Sequence, residues 1–227
     1  MDDPLQTSYQ LKTKAKIIWI ALNNKAADFQ AINVKITNQG ITFNLKLKGK
    51  QKTYPFATKL LGIANVYNII AALALGLEFK IPISDLQKVV KTIKPVEHRL
   101  ELKNMGDFYL IDDAYNNNPA GAQMALDVLN SMPGKKIIIT SAMIELGPLE
   151  ETANIEYGEA MTKVCDEIIL LGDKQTKAIQ TGLKKQNYPT KHIYIIEDIK
   201  EAFNKINGLK GKETYVLLKN DLADIYK

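Results

Sequence analysis

From about residue 99 the chain repeats one pattern: a short, nearly unbroken apolar run, a polar turn, then a stretch whose apolar residues recur at helical spacing. Phe108 to Ile111, Lys136 to Thr140, Glu167 to Leu171, His192 to Ile196 and Thr214 to Leu218 read as strands. Helices are expected after Pro119, near Glu151 to Val164, near Lys174 to Leu183 and over Ile199 to Ile206. Strands separated by whole helices are joined by crossovers rather than hairpins, which makes them parallel and puts helices on the sheet faces. Runs as apolar as Ile137-Ile138-Ile139 suit strands buried on both sides. The expectation is an α/β unit with a mostly parallel sheet.

The earlier part reads differently. Short strands are expected at Lys16 to Ala21, Ala31 to Thr37, Ile41 to Leu47 and Thr53 to Ala57, with turns at Asn38-Gln39-Gly40 and Lys48-Gly49-Lys50, an antiparallel meander. Asn65 to Leu77, apolar almost all round, and an amphipathic stretch capped by Ser84 and ending at Thr92 read as two packed helices. Pro95 then interrupts the pattern. Two units are expected, 1–95 (α+β) and 96–227 (α/β).

A hydrophobic content of 46% fits a packed protein, and apolar runs such as Ile69 to Leu77 are far too short to span a bilayer. Met1-Asp2-Asp3-Pro4 carries no basic-then-apolar signal pattern, so a soluble cytoplasmic protein with no membrane role is expected. The single cysteine, Cys165, forms no intrachain disulfide, and no spacing of His and Cys suggests a structural metal. The net charge of +5 arises from 30 basic residues interleaved with 25 acidic ones, a solvated surface rather than a nucleic-acid stripe. All the basic residues but Arg99 are lysine, which draws attention to the one position where a planar, forked guanidinium is retained.

Ligands of parallel sheets collect at the carboxyl ends of strands. There the sequence places Asp112-Asp113-Ala114-Tyr115-Asn116-Asn117-Asn118-Pro119 and, after the next strand, Ser141-Ala142-Met143-Ile144-Glu145-Leu146-Gly147. Adjacent carboxylates on an extended backbone point opposite ways, so one of Asp112 and Asp113 can meet a ligand while the other orients a cation or main chain; the plainer reading is a turn. Asn118-Pro119 is a good helix start. Glu145 reads equally as a site residue or a loop residue, and His98, with no evident partner, reads as structural.

These residues carry a resemblance. His98-Arg99-Leu100-Glu101, then Ile111 to Pro119, then Met143-Ile144-Glu145-Leu146-Gly147 resemble, in order and spacing, the signature series of MurF-type Mur ligases. Leu61-Gly62-Ile63-Ala64-Asn65-Val66-Tyr67-Asn68 before Ala71-Ala72 is similar to a Mur ligase segment of the form Gly-x-His-Asn-x-x-Asn, and Asp2-Asp3-Pro4 to the segment that closes the nucleotide-binding core. The likeness spans essentially the whole chain. It implies that 1–95 is the carboxy-terminal part of the central ATPase domain and 96–227 a Rossmann-like closing domain. The implied activity is ATP-dependent amide ligation in peptidoglycan precursor synthesis: a UDP-muramoyl tripeptide is activated as an acyl phosphate and joined to D-alanyl-D-alanine. Carried over residue by residue, Arg99 and Asp112 or Asp113 reach ATP and act in catalysis, Asn65 and Asn68 lie near the adenine, and Tyr115 joins the nucleotide contacts. Asn116, Asn118 and Glu145 fall where the amine substrate is expected.

Three departures stand out. The family histidine before the first asparagine is Ala64, a histidine common after the Glu-Leu-Gly motif is Asn154, and the closing Lys-Gly-Ser-Arg is replaced by Lys219-Asn220-Asp221-Leu222-Ala223-Asp224. Nor does the sequence contain a G-x-x-x-x-G-K-[ST] loop to cradle a triphosphate. ATP and Mg2+ are therefore expected to be held mainly by the P-loop half of the ligase, which these residues do not include, the chain alone being inactive. The competing expectation is a non-catalytic nucleotide- or protein-binding module. A dinucleotide oxidoreductase is disfavoured because no G-x-G-x-x-G follows the first strand of the α/β unit.

Overall fold

The protein is described from a computed structural model covering residues 1–8, 14–211 and 213–220, with backbone only at 7 and 8. The chain divides into two compact units, Met1–Lys94 and Pro95–Lys227.

In the first unit a short helix, α1 (Pro4–Ser8), precedes strands β1 (Ile20–Ala21), β2 (Phe29–Thr37), β3 (Gly40–Leu47) and β4 (Thr53–Thr58), then helices α2 (Ile63–Glu78) and α3 (Ile83–Thr92). The strands form one sheet in sequence order. The expected meander holds for β2, β3 and β4, which pair antiparallel, but β1 runs parallel to β2 and is only two residues long. The expected strand from Lys16 is thus cut to its last two residues. On α2 the buried residues Val66, Ile69, Ile70, Leu73 and Ala74 follow a single helical stripe, while Leu75 is exposed, so a sequence apolar all round buries one face. That face packs on Phe29, Ala31, Ile41, Phe43, Leu45 and Phe56 of the sheet, and the cross-strand partners Phe43 and Phe56 stack with ring centroids 5.4 Å apart. Ser84 does not cap α3. The helix starts two residues earlier than such a cap implies, with Pro82 at the cap position and no side-chain cap.

The second unit contains β5 (Glu101–Asn104), β6 (Tyr109–Asp112), α4 (Pro119–Asn130), β7 (Lys135–Thr140), α5 (Glu150–Met161), β8 (Glu167–Leu171), α6 (Lys177–Lys185), β9 (Ile193–Ile196), α7 (Ile199–Leu209) and β10 (Thr214–Lys219). Its sheet has the order β5-β6-β10-β7-β8-β9. All neighbours are parallel except β5, an antiparallel edge strand paired with β6. The last strand, β10, is inserted at the centre, and every residue of it is buried. Right-handed crossovers that step outward from β6 to β9 put α4, α5 and α6 on one face, and the return from β9 to β10 puts α7 on the other. Alternate residues agree: Leu110, Ile137, Ile139, Ile169, Leu171, Val216 and Leu218 pack with Ala202 and Ile206 of α7.

Two glycines set the spacing of α5 and α6. A Cβ on Gly158 would lie 2.3 Å from the Ile179 carbonyl oxygen, and one on Gly182 would lie 2.1 Å from that of Ile155. The helices cross backbone to backbone, at a separation only glycine permits.

Candidate functional site

The site lies at the carboxyl end of the second unit's sheet, where β6 and β10 end side by side with Leu218 registered to Asp112. Asp112 is 4% exposed. Its Oδ2 accepts from Lys103 Nζ at 2.7 Å and lies 2.9 Å from His98 Nδ1. Lys103 reaches it from β5 and also pairs with Glu101 at 3.0 Å. Burial alone would lower the Lys103 ammonium, but hydrogen bonds to Asp112 and Glu101 outweigh it and raise the pKa. His98, read from sequence as partnerless, is therefore in hydrogen-bond contact with a buried carboxylate.

Asp113 points the other way. Its Oδ1 accepts from the Leu100 amide at 3.1 Å, and its Oδ2 lies 2.8 Å from Lys219 Nζ. Burial pushes the Asp113 carboxyl above its ordinary range, although Lys219, the Leu100 amide and the nearby Arg99 charge all pull it down. The two aspartates thus grip the residues on either side of Arg99. Those residues need a grip: His98 (φ 60) and Leu100 (φ 49) are both left-handed, at a cost of about 1–2 kcal/mol each for a side chain with a Cβ.

Between these anchors Arg99 is exposed, with its guanidinium carbon 4.0 Å from the centroid of the Tyr115 ring. Tyr115 is itself 52% exposed, and its amide donates to the His98 carbonyl at 3.2 Å. The result is a fork of donors backed by an aromatic face and held at both flanks, suited to a phosphate or carboxylate.

Below Tyr115 the loop closes on Lys219, whose Nζ donates to the Asn116 carbonyl at 2.6 Å and to that of Asp113 at 3.4 Å. The Asn116 side chain is exposed. Asn117 is buried, and both polar atoms of its side chain lack a protein partner. Asn118 caps α4 by accepting from the Gly121 amide at 2.9 Å, with Pro119 at the first helical position. Next to Lys219, Asn220 Oδ1 accepts from Ser141 Oγ at 2.5 Å. Asp221 to Asp224 of the altered closing motif lie outside the described residues.

Glu145 is exposed and left-handed (φ 63) at the exit of β7. Asn154 shapes that exit: its Oδ1 accepts from the Met143 amide at 2.8 Å, and its Nδ2 donates to the carbonyls of Met143 at 2.8 Å and Glu150 at 2.9 Å. At the amino end of the same sheet, Glu167 is also buried, but Lys135 at 2.8 Å and His192 at 3.0 Å satisfy it. Burial would raise the Glu167 carboxyl, and those two partners instead lower it.

Of the residues singled out in sequence, the structure brings together Arg99, Asp113, Tyr115 and the backbone of Asn116, with Asp112 just behind. Asn65 and Asn68 belong to the first unit, on the first turns of α2. Asn65 Nδ2 donates to the Leu61 carbonyl at 2.7 Å, and Asn68 Nδ2 to Asn65 Oδ1 at 3.5 Å. Near the base of α2, Asp2 gathers four donors: the amides of Leu22, Asn23 and Asn24 and the Tyr67 hydroxyl. Burial would raise the Asp2 carboxyl, but these bonds hold it down at about 2; burial and Asp2 together push Tyr67 up to about 12.

Sequence reasoning missed Lys103 and Lys219 as site components. Lys219 was visible only as the first letter of a degraded motif, because the ion pair that defines it joins residues over a hundred positions apart. Of the residues present, the exposed guanidinium of Arg99 fits an anionic phosphoryl group. Among the described residues no three His, Cys, Asp or Glu side chains converge as a dedicated cation site. Among those residues, too, no helix is long and apolar enough to cross a membrane.

Comparison with known proteins adds to this geometry. Residues 98–220 match the family described as Mur ligase, glutamate ligase domain, and residues 1–76 match the Mur ligase middle domain. A UDP-N-acetylmuramoyl-tripeptide--D-alanyl-D-alanine ligase of Bacillus subtilis (strain 168) is 34% identical over 165 residues, 71% of this chain and 34% of that protein. A UDP-N-acetylmuramoyl-L-alanyl-D-glutamate--2,6-diaminopimelate ligase of Halalkalibacterium halodurans is 26% identical, covering 98% of this chain and 48% of its own length. The chain therefore spans less than half the length of these relatives. Among solved structures, MurF from Acinetobacter baumannii superposes with a TM-score of 0.76 at 22% identity over 91% of this chain and 44% of that one. MurF from Thermotoga maritima in complex with ADP gives 0.74 at 19% identity over 93% and 51%. At such identities the structural likeness speaks for the fold, which is the α/β, Rossmann-like architecture expected from sequence.

Proposed function

Because this chain belongs to the Mur ligase family, we propose that it is the part of an ATP-dependent amide ligase of peptidoglycan precursor synthesis that closes over the nucleotide. The reaction is the joining of D-alanyl-D-alanine to a UDP-N-acetylmuramoyl tripeptide. The observation that carries this reading is Arg99, the one arginine of the chain, exposed at the carboxyl end of the sheet, backed by Tyr115 and flanked by residues that the buried Asp112 and the part-buried Asp113 hold. When bound, ATP supplies the phosphoryl group that activates the substrate carboxylate.

Arg99 meets that phosphoryl group with charge and paired N–H donors, and its contribution is positioning and charge neutralisation rather than nucleophilic attack. Asp113 is the carboxylate nearer the solvent and is proposed to accept from the nucleotide, and Tyr115 to line it. Asp112 keeps the His98 turn in place. Asn65 and Asn68 are proposed to approach the adenine, with Ala64 offering no polar group beside them. Asn116, Asn118 and Glu145 are proposed for the amine substrate. For Asn118 that role falls to the face of its side chain not engaged in capping α4. Mg2+ is assigned to a P-loop-bearing half, and a soluble, cytoplasmic ligase is the proposed setting.

A non-catalytic nucleotide- or protein-binding module is the alternative, favoured by the lack of a G-x-x-x-x-G-K-[ST] loop in these residues. The two part company in one assay: ATP-dependent phosphate release with UDP-muramoyl tripeptide and D-alanyl-D-alanine, on the chain alone and mixed with a folded, ATP-binding P-loop half. The ligase reading expects release only on mixing, and a loss of about 10²–10³-fold for Arg99→Ala. No release on mixing, or an Arg99→Ala protein as active as the parent, moves the assignment to the binding module.

A further inference from the structure

The mechanism above uses Arg99 but not the buried cation behind it. Lys219 ends β10 with only 3% of its side chain exposed. Among the described residues its ammonium has one anionic partner, Asp113 Oδ2 at 2.8 Å, and two main-chain acceptors, the carbonyls of Asp113 and Asn116. Those carbonyls bracket Tyr115. Asp113 in turn accepts from the Leu100 amide, and the Tyr115 amide donates to the His98 carbonyl. Two routes therefore run from Lys219 to Arg99, one through Asp113 to the turn that carries it and one through Asn116 to the ring beneath it.

We propose that Lys219 is a positioning residue that presents Arg99, by drawing the 113–116 loop shut so that the Tyr115 ring stays under the guanidinium. A lysine placed only to neutralise Asp113 needs one contact. This one also donates to the main chain on both sides of Tyr115, which makes it a template for the loop. Lysine suits the task because a compact ammonium with three rotatable donors serves three acceptors in different directions, which the planar guanidinium does not. The proposal builds on the reading of Arg99 as the phosphate-binding group, yet it concerns the free protein and is testable without nucleotide.

Arg99 is the one arginine, so its Nε–H gives a single, unambiguous signal in a nitrogen–proton correlation spectrum, shifted by the ring current of Tyr115. Tyr115→Leu, which abolishes the ring, supplies the position of an unstacked Arg99. In Lys219→Met the Arg99 signal is expected to move to that position, while methyl signals from the core stay where they are. In Asp113→Asn the contact with Asn116 survives, and the signal is expected to stay near its parental position. Should Lys219→Met fail to fold, the double variant Lys219→Met with Asp113→Leu removes both buried charges together and is expected to fold with Arg99 released. An Arg99 signal unmoved in a folded variant lacking Lys219 overturns the proposal, as does an Asp113→Asn protein that releases Arg99 fully.

Titration with inorganic tripolyphosphate separates this idea from the functional reading. Binding at Arg99 in the parent, weakened about tenfold in Lys219→Met, supports both. A Lys219-dependent stack with no tripolyphosphate binding leaves the positioning role standing and counts against the phosphate role.

Discussion

Replacing Gly182 by alanine tests whether the second unit owes its helix spacing to backbone contact. The new Cβ would sit 2.1 Å from the Ile155 carbonyl oxygen and 3.0 Å from the Glu159 amide nitrogen. Cβ atoms essentially never approach heavy atoms closer than 3.0 Å, so α5 and α6 must part by about 1 Å. Helix propensity pulls the other way, alanine being favoured over glycine by about 1 kcal/mol inside a helix. Overpacking costs about 1–3 kcal/mol. Here the obstructing atoms are backbone, and Gly158 makes the reciprocal contact with Ile179, so neither side has a rotamer with which to escape; the upper part of that range applies. The net expectation is a loss of about 1–2 kcal/mol, or a fall in Tm of about 3–8 °C. Gly208→Ala is the control, because near the end of α7 its Cβ meets nothing within 4 Å and only the propensity gain remains, about 0.5 kcal/mol so close to a terminus. Thermal melts followed by far-ultraviolet circular dichroism should therefore shift in opposite directions for two identical substitutions. A Gly182→Ala protein at or above the parental Tm would refute the argument.

Other consequences are open to measurement. Asn154→Leu removes three hydrogen bonds and leaves the Met143 amide and carbonyl unpaired, so urea titration should show a loss of about 2–4 kcal/mol, and the Met143 amide should exchange faster. An unchanged urea midpoint would mean that the β7 exit holds its shape without that side chain. The Asp2 carboxyl is depressed from 3.8 to about 2 in the folded state, so the stability it contributes is present above pH 4 and lost as pH falls towards 2. Asp2→Asn should flatten that part of the pH–stability curve, and an equally steep acid limb in the variant would place the sensitivity elsewhere.

Much of the fold is legible in the residues, because its signals are local. The apolar runs of β7, β8 and β10 announce parallel strands buried on both faces, and Asn118-Pro119 announces the start of α4, since cap and first-turn chemistry depend on neighbours in sequence. Signals of that kind fail where a distant partner decides. Ser84 looks like a cap, yet the helix begins ahead of it at Ile83, and Lys16 to Ala21 is an apolar run rich in strand formers, yet only Ile20 and Ala21 find β2 to pair with. In the candidate site the types of residue at the strand ends are legible, and so is the lone arginine.

What each site residue does was decided by the tertiary structure. Asp112 and Asp113 are interchangeable as letters. They differ because β5 brings Lys103 to one and β10 brings Lys219 to the other, and the sheet order that inserts β10 beside β6 follows from a return crossover that no local pattern encodes. The same holds for His98, Asn154 and Lys219, whose contacts with Asp112, Met143 and Asp113 span 11 or more positions and are made only once the sheet closes. Sequence by itself determined the alternation of elements, and through it the class of fold and the edge at which ligand chemistry gathers, because periodicity and turn chemistry act over a few residues. Only packing decided which side chains at that edge are engaged with one another and which, like Arg99, are left facing solvent, because burial and long-range ion pairing are properties of the assembled core.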